Sequence, residues 1–169
     1  MNTDHRSDKA SPNRLQTAGF AEASRLWRLL LLASILFIIY GSLVPFNFQP
    51  LPWEQAVARF LSFAADDLAG GSRVDKASNV LLTIPVAFAA AQWLMPGRSR
   101  MAAWLLRSVI AAGILLMAMG VEFAQLFFPQ RTMSWSDVAA QNLGALVGLL
   151  AQYRWGAAVS ESVSYTTLT

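Results

Sequence analysis

Residues 26–44, LWRLLLLASILFIIYGSLV, form an apolar run in which Arg28 is the only charge, and Pro45 closes it. As a helix rising 1.5 Å per residue, such a run spans about 30 Å of hydrocarbon. Two more runs follow, Ala77–Met95 and about Ala102–Phe128, then a shorter one, about Val138–Trp155, punctuated by Gly144 and Gly148. Four such segments predict an all-α membrane protein, a four-transmembrane-helix bundle. Composition agrees: 55% of residues are hydrophobic and 14% charged, where average soluble domains hold roughly 45–50% and 25%. Too few charges remain to solvate a small globule. Disorder is excluded, and an ordinary soluble enzyme is a poor fit.

The connections divide the chain further. Residues 1–25 read as a polar, mobile tail running into a charged helix start, residues 26–155 as the membrane domain, and residues 156–169 as a second polar tail. A cleaved signal peptide competes for the first run, but the basic region is too long and no A-x-A site follows. The segment is expected to stay as an anchor. In the long connection 45–76, Trp53, Val57, Phe60, Leu61 and Ala64 fall at helical spacing. They predict a short amphipathic helix ended by Gly70–Gly71, lying on the membrane surface or lidding the bundle. Pro96–Gly97 makes a tight return, Pro129 ends the third span, and Arg107 is placed to snorkel. No internal repeat is evident.

Basic residues set the expected orientation. With the N-terminus inside, the inner segments hold nine (Arg6, Lys9, Arg14, Arg25, Arg28, Arg98, Arg100, Arg107, Arg154) and the outer loops four (Arg59, Arg73, Lys76, Arg131). N-in, C-in follows. All six tryptophans fall at or beyond span ends, as an aromatic belt requires.

Some chemistry is excluded outright. There is no cysteine, and His5 is the only histidine, so disulfides, thiolate chemistry, histidine triads and Cys/His metal clusters cannot form within one chain. The net charge is only +3, which gives no footing for nucleic-acid binding. No cofactor is implied.

A carboxylate inside a membrane costs about 2.5–3.5 kcal/mol on insertion scales, so its position is informative. Glu122 lies in the third span with Gln125 on the same face, Asp137 opens the fourth span with Gln141 a turn later and Asn142 beside it, and Asp75, Lys76 and Asn79 open the second. All belong to the outer half. Arg131, between Glu122 and Asp137, is placed to bridge the two carboxylates over the mouth of the bundle, with Lys76 a second candidate. Two readings of Asp137 stand: a site residue, or the acid of a capping box begun by Ser134, with Ser136 an alternative cap. Asn79 and Gln125 read as ligand contacts or as interhelical glue worth about 0.6 kcal/mol each. Asn142 lies about 140° from Asp137 around the helix and faces another neighbour. Gly144 and Gly148 form a GxxxG pair expected to pack within the bundle, and Gly113 and Gly120 predict a similar close-approach face on the third span.

Taken in order, Tyr40–Phe46 (YGSLVPF), Asp75–Pro85 (DKASNVLLTIP), Glu122–Gln125 (EFAQ), Pro129–Arg131 (PQR) and Asp137–Gly148 (DVAAQNLGALVG) resemble the VanZ-like membrane proteins, over roughly residues 40–155. The resemblance implies a small multi-pass protein of the bacterial cytoplasmic membrane, tied to glycopeptide (teicoplanin) tolerance, exopolysaccharide or cell-envelope assembly, with no settled activity. Asn79 stands where many members carry histidine, and Thr83 and Val86 depart from the commoner Phe and Leu.

The leading expectation is a non-enzymatic envelope protein whose outer polar cluster binds a lipid-linked glycan, a peptidoglycan precursor or a glycopeptide. Arg131 and Lys76 would supply cations and Trp53 and Trp135 aromatic platforms. A second reading makes Glu122 and Asp137 the acid and base of an enzyme acting on a lipid phosphate or glycosidic bond. A third makes the cluster the glue of an assembly subunit with a membrane-protein partner. Transport fits poorly, because the spans show no broken-helix pairs.

Overall fold

A computed structural model describes residues 12–62 and 72–166. Five helices follow in order: α1 Pro12–Leu43, α2 Trp53–Ser62, α3 Arg73–Leu94, α4 Arg100–Gln125 and α5 Trp135–Thr166. No strand occurs among the described residues. The helices start where local chemistry favours it. Ser72 Oγ accepts the Val74 N–H at 3.2 Å and Ser99 Oγ accepts the Ala102 N–H at 3.3 Å, each satisfying a donor the first turn leaves open. Between α3 and α4, Gly97 takes φ +69°, a left-handed turn that glycine adopts without strain.

The helices are longer than the apolar runs. α1 begins at Pro12, inside the stretch expected to be a tail, and α5 continues to Thr166 through most of the expected C-terminal tail. Apolar runs report only the part of a helix that needs an apolar solvent. Both helices therefore extend beyond the expected spans.

The interior joins an apolar core, with Ile38, Val86, Ile110, Ile114 and Leu149, to a buried polar set, while the surface is rich in large apolar side chains. The largest fully buried side chains are Gln141, Glu122 and Thr83, while Leu29, Leu32, Leu36, Phe37, Leu81, Leu105 and Leu116 are exposed. Water as the surrounding solvent would disfavour so much exposed apolar surface. Three helices are long and apolar enough to cross a membrane: Ala21–Leu43 of α1, α3 and α4. α5, expected as a fourth span, does not reach that standard. Gln141, Asn142, Gln152 and Arg154 dilute its apolar content, although its exposed face is a clean stripe of Leu143, Leu146, Val147 and Leu150.

α5 packs chiefly on α3 and then on α4, and α1 lies mainly along α3. Gly144 and Gly148 make the α3–α5 contact possible. A Cβ on Gly144 would run into the Val80 carbonyl, and one on Gly148 into the Ile84 carbonyl. Packing at that distance is what GxxxG permits, and here it serves the bundle's own helices. The same expectation fails for Gly113 and Gly120: nothing lies within 4 Å of a Cβ at either, and both face outward. Arg107 does not simply snorkel. Its Nη2 donates to Gln152 Oε1 at 3.0 Å, and the guanidinium lies 5.5 Å from the Trp104 ring and 5.2 Å from Tyr153.

α2 matches the expected amphipathic helix over Trp53–Ser62; Ala64, Gly70 and Gly71 lie outside the described residues. It touches the bundle on one side: Ala56 is fully buried, Trp53 and Phe60 meet Phe123 edge-on at 5.3 and 5.4 Å, and Phe60 meets Trp135 at 5.1 Å. Trp53 and Leu61 remain exposed.

Candidate functional site

A cavity of about 490 Å³ opens where the end of α1, the start of α3, the end of α4 and the start of α5 meet. Six of the eight residues singled out from the sequence line it: Asp75, Asn79, Glu122, Gln125, Arg131 and Asp137. Residues 122 and 125 share a helix face, as do 75 and 79. The chain path then brings the two faces together across α5. Lys76 does not join them. One residue along from Asp75, it is rotated about 100° and lines a shallower groove with Val80, Ser136 and Leu143. Asn142 also falls outside; its Nδ2 donates to the Val138 carbonyl at 2.8 Å within α5.

Glu122 is the best-shielded carboxylate described, at 1% exposure. Its Oε2 accepts the backbone N–H of Ser134 at 2.8 Å. Ser134 immediately precedes α5, and its carbonyl receives the N–H groups of Asp137 and Val138 at 3.1 and 3.4 Å. In a capping box, the acid three residues on would take the N–H of the capping residue. Here α4 supplies that acid, and Asp137 lines the cavity. Ser134 Oγ pairs with Ser136 Oγ at 2.7 Å, so both expected cap hydroxyls meet each other.

Arg131 is held by α1. Its Nε donates to the Ser42 carbonyl at 2.8 Å and its Nη2 to the Gly41 carbonyl, while Gln125 Nε2 donates to Ser42 O at 3.3 Å. Gly41 and Ser42 belong to the last turn of α1, whose carbonyls have no partner within the helix and sit at the negative end of its dipole. α1 carries no basic residue in that turn, so the α4–α5 connection provides one. The expected bridge from Arg131 to the carboxylates is therefore not what fixes the guanidinium.

The cavity has two unlike walls. Glu122, Gln125 and Arg131 are engaged in joining helices to one another. On α3, Asp75 and Asn79 have no side-chain hydrogen bond among the described residues, and Ser78 lies beside them. One turn below Asn79, the fully buried Thr83 donates to the Asn79 carbonyl at 2.8 Å, which satisfies its hydroxyl away from solvent.

Sequence reading missed Ser42, Ser78, Gln130 and Thr132, all in the lining. Ser78 could have been found from its spacing to Asp75 and Leu82; the loop residues carry no such signal. It also gave Gln141 no role, yet Gln141 is 1% exposed and its Oε1 has no hydrogen-bond partner. Among the described residues, no group of three or more His, Cys, Asp or Glu is arranged to hold a metal ion.

The comparisons with known proteins fit this arrangement. No curated protein and no solved structure matches the chain. A family profile described as VanZ/LLP1 matches residues 15–156, reaching further toward the N-terminus than the motifs do and taking in every helix that builds the cavity. The matched range takes in the polar groups that line the cavity and covers most of the sequence, and the chain belongs to the VanZ/LLP1 family.

Proposed function

We propose that this membrane protein is a non-enzymatic envelope factor that binds the head of a lipid-linked glycan, a peptidoglycan precursor or a glycopeptide in the 490 Å³ cavity. The observation that carries the proposal is the α3 wall, where Asp75, Ser78 and Asn79 face a cavity while the opposite wall is occupied in holding helices. Among the described residues three carboxylates, Asp75, Glu122 and Asp137, line the space against one cation, Arg131, whose Nε and Nη2 are already donating. Acceptors of that kind suit ligands rich in donors, sugar hydroxyls or an ammonium group, better than phosphate oxygens. With Lys76 turned away, the phosphate part of a lipid-linked ligand has no evident partner here.

The reading includes α5 as a fourth crossing in the bacterial cytoplasmic membrane, with both termini inside. Its polar residues support this as much as its apolar ones do. Gln141 is buried, Gly144 and Gly148 press on α3, and the stripe Leu143, Leu146, Val147 and Leu150 faces out. A helix shielded on one side needs lipid-compatible chemistry only on the other.

The assembly reading is favoured by one observation: the Glu122–Ser134, Gln125–Ser42 and Arg131–Ser42 bonds all join separate segments. It accounts for those three residues and leaves Asp75 and Asn79 unused. Native mass spectrometry of the wild type, Asp75→Asn and Asn79→Ala, purified from the native envelope in mild detergent, separates the two. A glycan-lipid adduct lost in variants that melt like the wild type supports binding; no adduct on the wild type sinks it.

A further inference from the structure

We propose that the cavity at the opposite end of the bundle is a second site, one that binds the phosphate-bearing headgroup of an anionic phospholipid. This cavity, of about 530 Å³, lies where α1, the α3–α4 turn and α5 meet, and Trp27, Gln92, Trp93, Arg98, Gln152 and Ser160 are among its lining. Its volume falls within the range of small-ligand sites, roughly 300–1,000 Å³.

The floor is fixed by hydrogen bonds. Gln92, 4% exposed, donates from Nε2 to the Gly156 carbonyl at 2.8 Å and accepts at Oε1 from Ser160 at 3.3 Å. Gln152 accepts from Arg107 through Oε1 at 3.0 Å. Its amide nitrogen is therefore the end left to donate. A Cβ on Gly156 would stand 2.8 Å from that nitrogen, so the glycine leaves the amide room.

Charge decides the class of ligand. Arg25, Arg28, Arg98, Arg100 and Arg154 gather at this end, with Glu22 the one acidic residue whose side chain is described there. Among the described residues no carboxylate lines the cavity, in contrast to the three that line the other. A phosphate diester is acceptor-only and needs donors; the Arg98 guanidinium, the Gln152 amide and the Ser24 hydroxyl supply them. Trp27 and Trp93 place the cavity at headgroup depth, and basic pockets between helices are a general solution for anionic headgroups. Free phosphate would use the same donors but leave the indole walls without a partner.

The test is native mass spectrometry of the full chain in detergent with phosphatidylglycerol and phosphatidylethanolamine at equal concentration, repeated with millimolar inorganic phosphate. The wild type is expected to retain one phosphatidylglycerol in preference to phosphatidylethanolamine. Arg98 is exposed in a turn, so Arg98→Gln should melt like the wild type and bind about fivefold more weakly, the effect of one basic residue near a charged surface. Arg98→Lys should restore most of the binding. Arg73→Gln, removing an exposed cation at the far end, should change nothing. Equal retention of both lipids, equal weakening by Arg98→Gln and Arg73→Gln, or displacement of the adduct by inorganic phosphate overturns the proposal.

Discussion

The carboxylate of Glu122, near the end of α4, accepts the backbone N–H of Ser134 at 2.8 Å and so caps α5 from a neighbouring helix. The membrane cost of an ionisable group is offset by giving a helix start, which always leaves donors open, an acceptor that water would otherwise provide. Glu122→Ala is expected to lower stability by about 1.5–3 kcal/mol, the range for a hydrogen bond to a charged group. Glu122→Gln keeps an acceptor oxygen and should cost less. Ser134→Ala loses the hydroxyl pair with Ser136 but preserves the N–H and should leave the bond to Glu122 in place, whereas Ser134→Pro removes it. Thermal unfolding in detergent orders the four; a Glu122→Ala variant that melts like the wild type would show that the bond does not hold α5.

Arg131 should behave as a structural residue of the same kind. Arg131→Ala uncovers the Gly41 and Ser42 carbonyls and is expected to destabilise the protein by about 1.5–3 kcal/mol. Arg131→Lys should recover only part, because an ammonium lacks the planar fork that reaches two carbonyls at once. Equal melting temperatures for Arg131→Ala and the wild type would refute the clamp.

Asp75 and Asn79 should show the reverse pattern. Asp75 is exposed and neither side chain holds another helix, so Asp75→Asn and Asn79→Ala are expected to change stability by no more than about 0.5 kcal/mol. Their effect should appear in ligand retention instead. A large loss of stability in either would return both residues to the scaffold.

The polar cluster was legible in the sequence because lipid makes every buried carboxylate and amide conspicuous; a soluble chain would have hidden Glu122 and Gln125 among dozens like them. Direction of side chains was less legible. Lys76 and Asp75 are neighbours in sequence, yet helical rotation sends them to different grooves. The partners of Arg131 were invisible, since backbone carbonyls at the end of α1 leave no mark on residue identity. The ends of α1 and α5 were misjudged because hydropathy stops at the membrane while hydrogen-bonded helix does not. For the same reason α5 scores as too polar: averaging mixes its Gln141 face with its Leu146 face.

The glycines separate packing from mere spacing. Gly144→Ala and Gly148→Ala would each push a methyl into α3 backbone and are expected to cost about 1–3 kcal/mol as overpacking. Gly113→Ala and Gly120→Ala meet open space and should be neutral or stabilising by up to about 1 kcal/mol, since alanine is the better helix former. Two pairs of glycines on helices of one bundle thus carry opposite expectations, checked by the same melting experiment.

The crossing of α5 can be tested because the chain contains no cysteine. Single cysteines at Ser99, Thr132 and Ser162 report on the α3–α4 turn, the α4–α5 connection and the far end of α5, and all three positions are exposed. If α5 crosses, a membrane-impermeant maleimide added to intact spheroplasts should label Thr132→Cys only. Ser99→Cys and Ser162→Cys should react after the membrane is opened. The polar residues of α5 make this a demanding test: Gln141 and Asn142 can lie within the membrane only if α3 and α4 shield one flank of the helix. Labelling of Thr132→Cys and Ser162→Cys from the same side would mean that α5 turns back, and the stripe from Leu143 to Leu150 would then need a cover other than lipid.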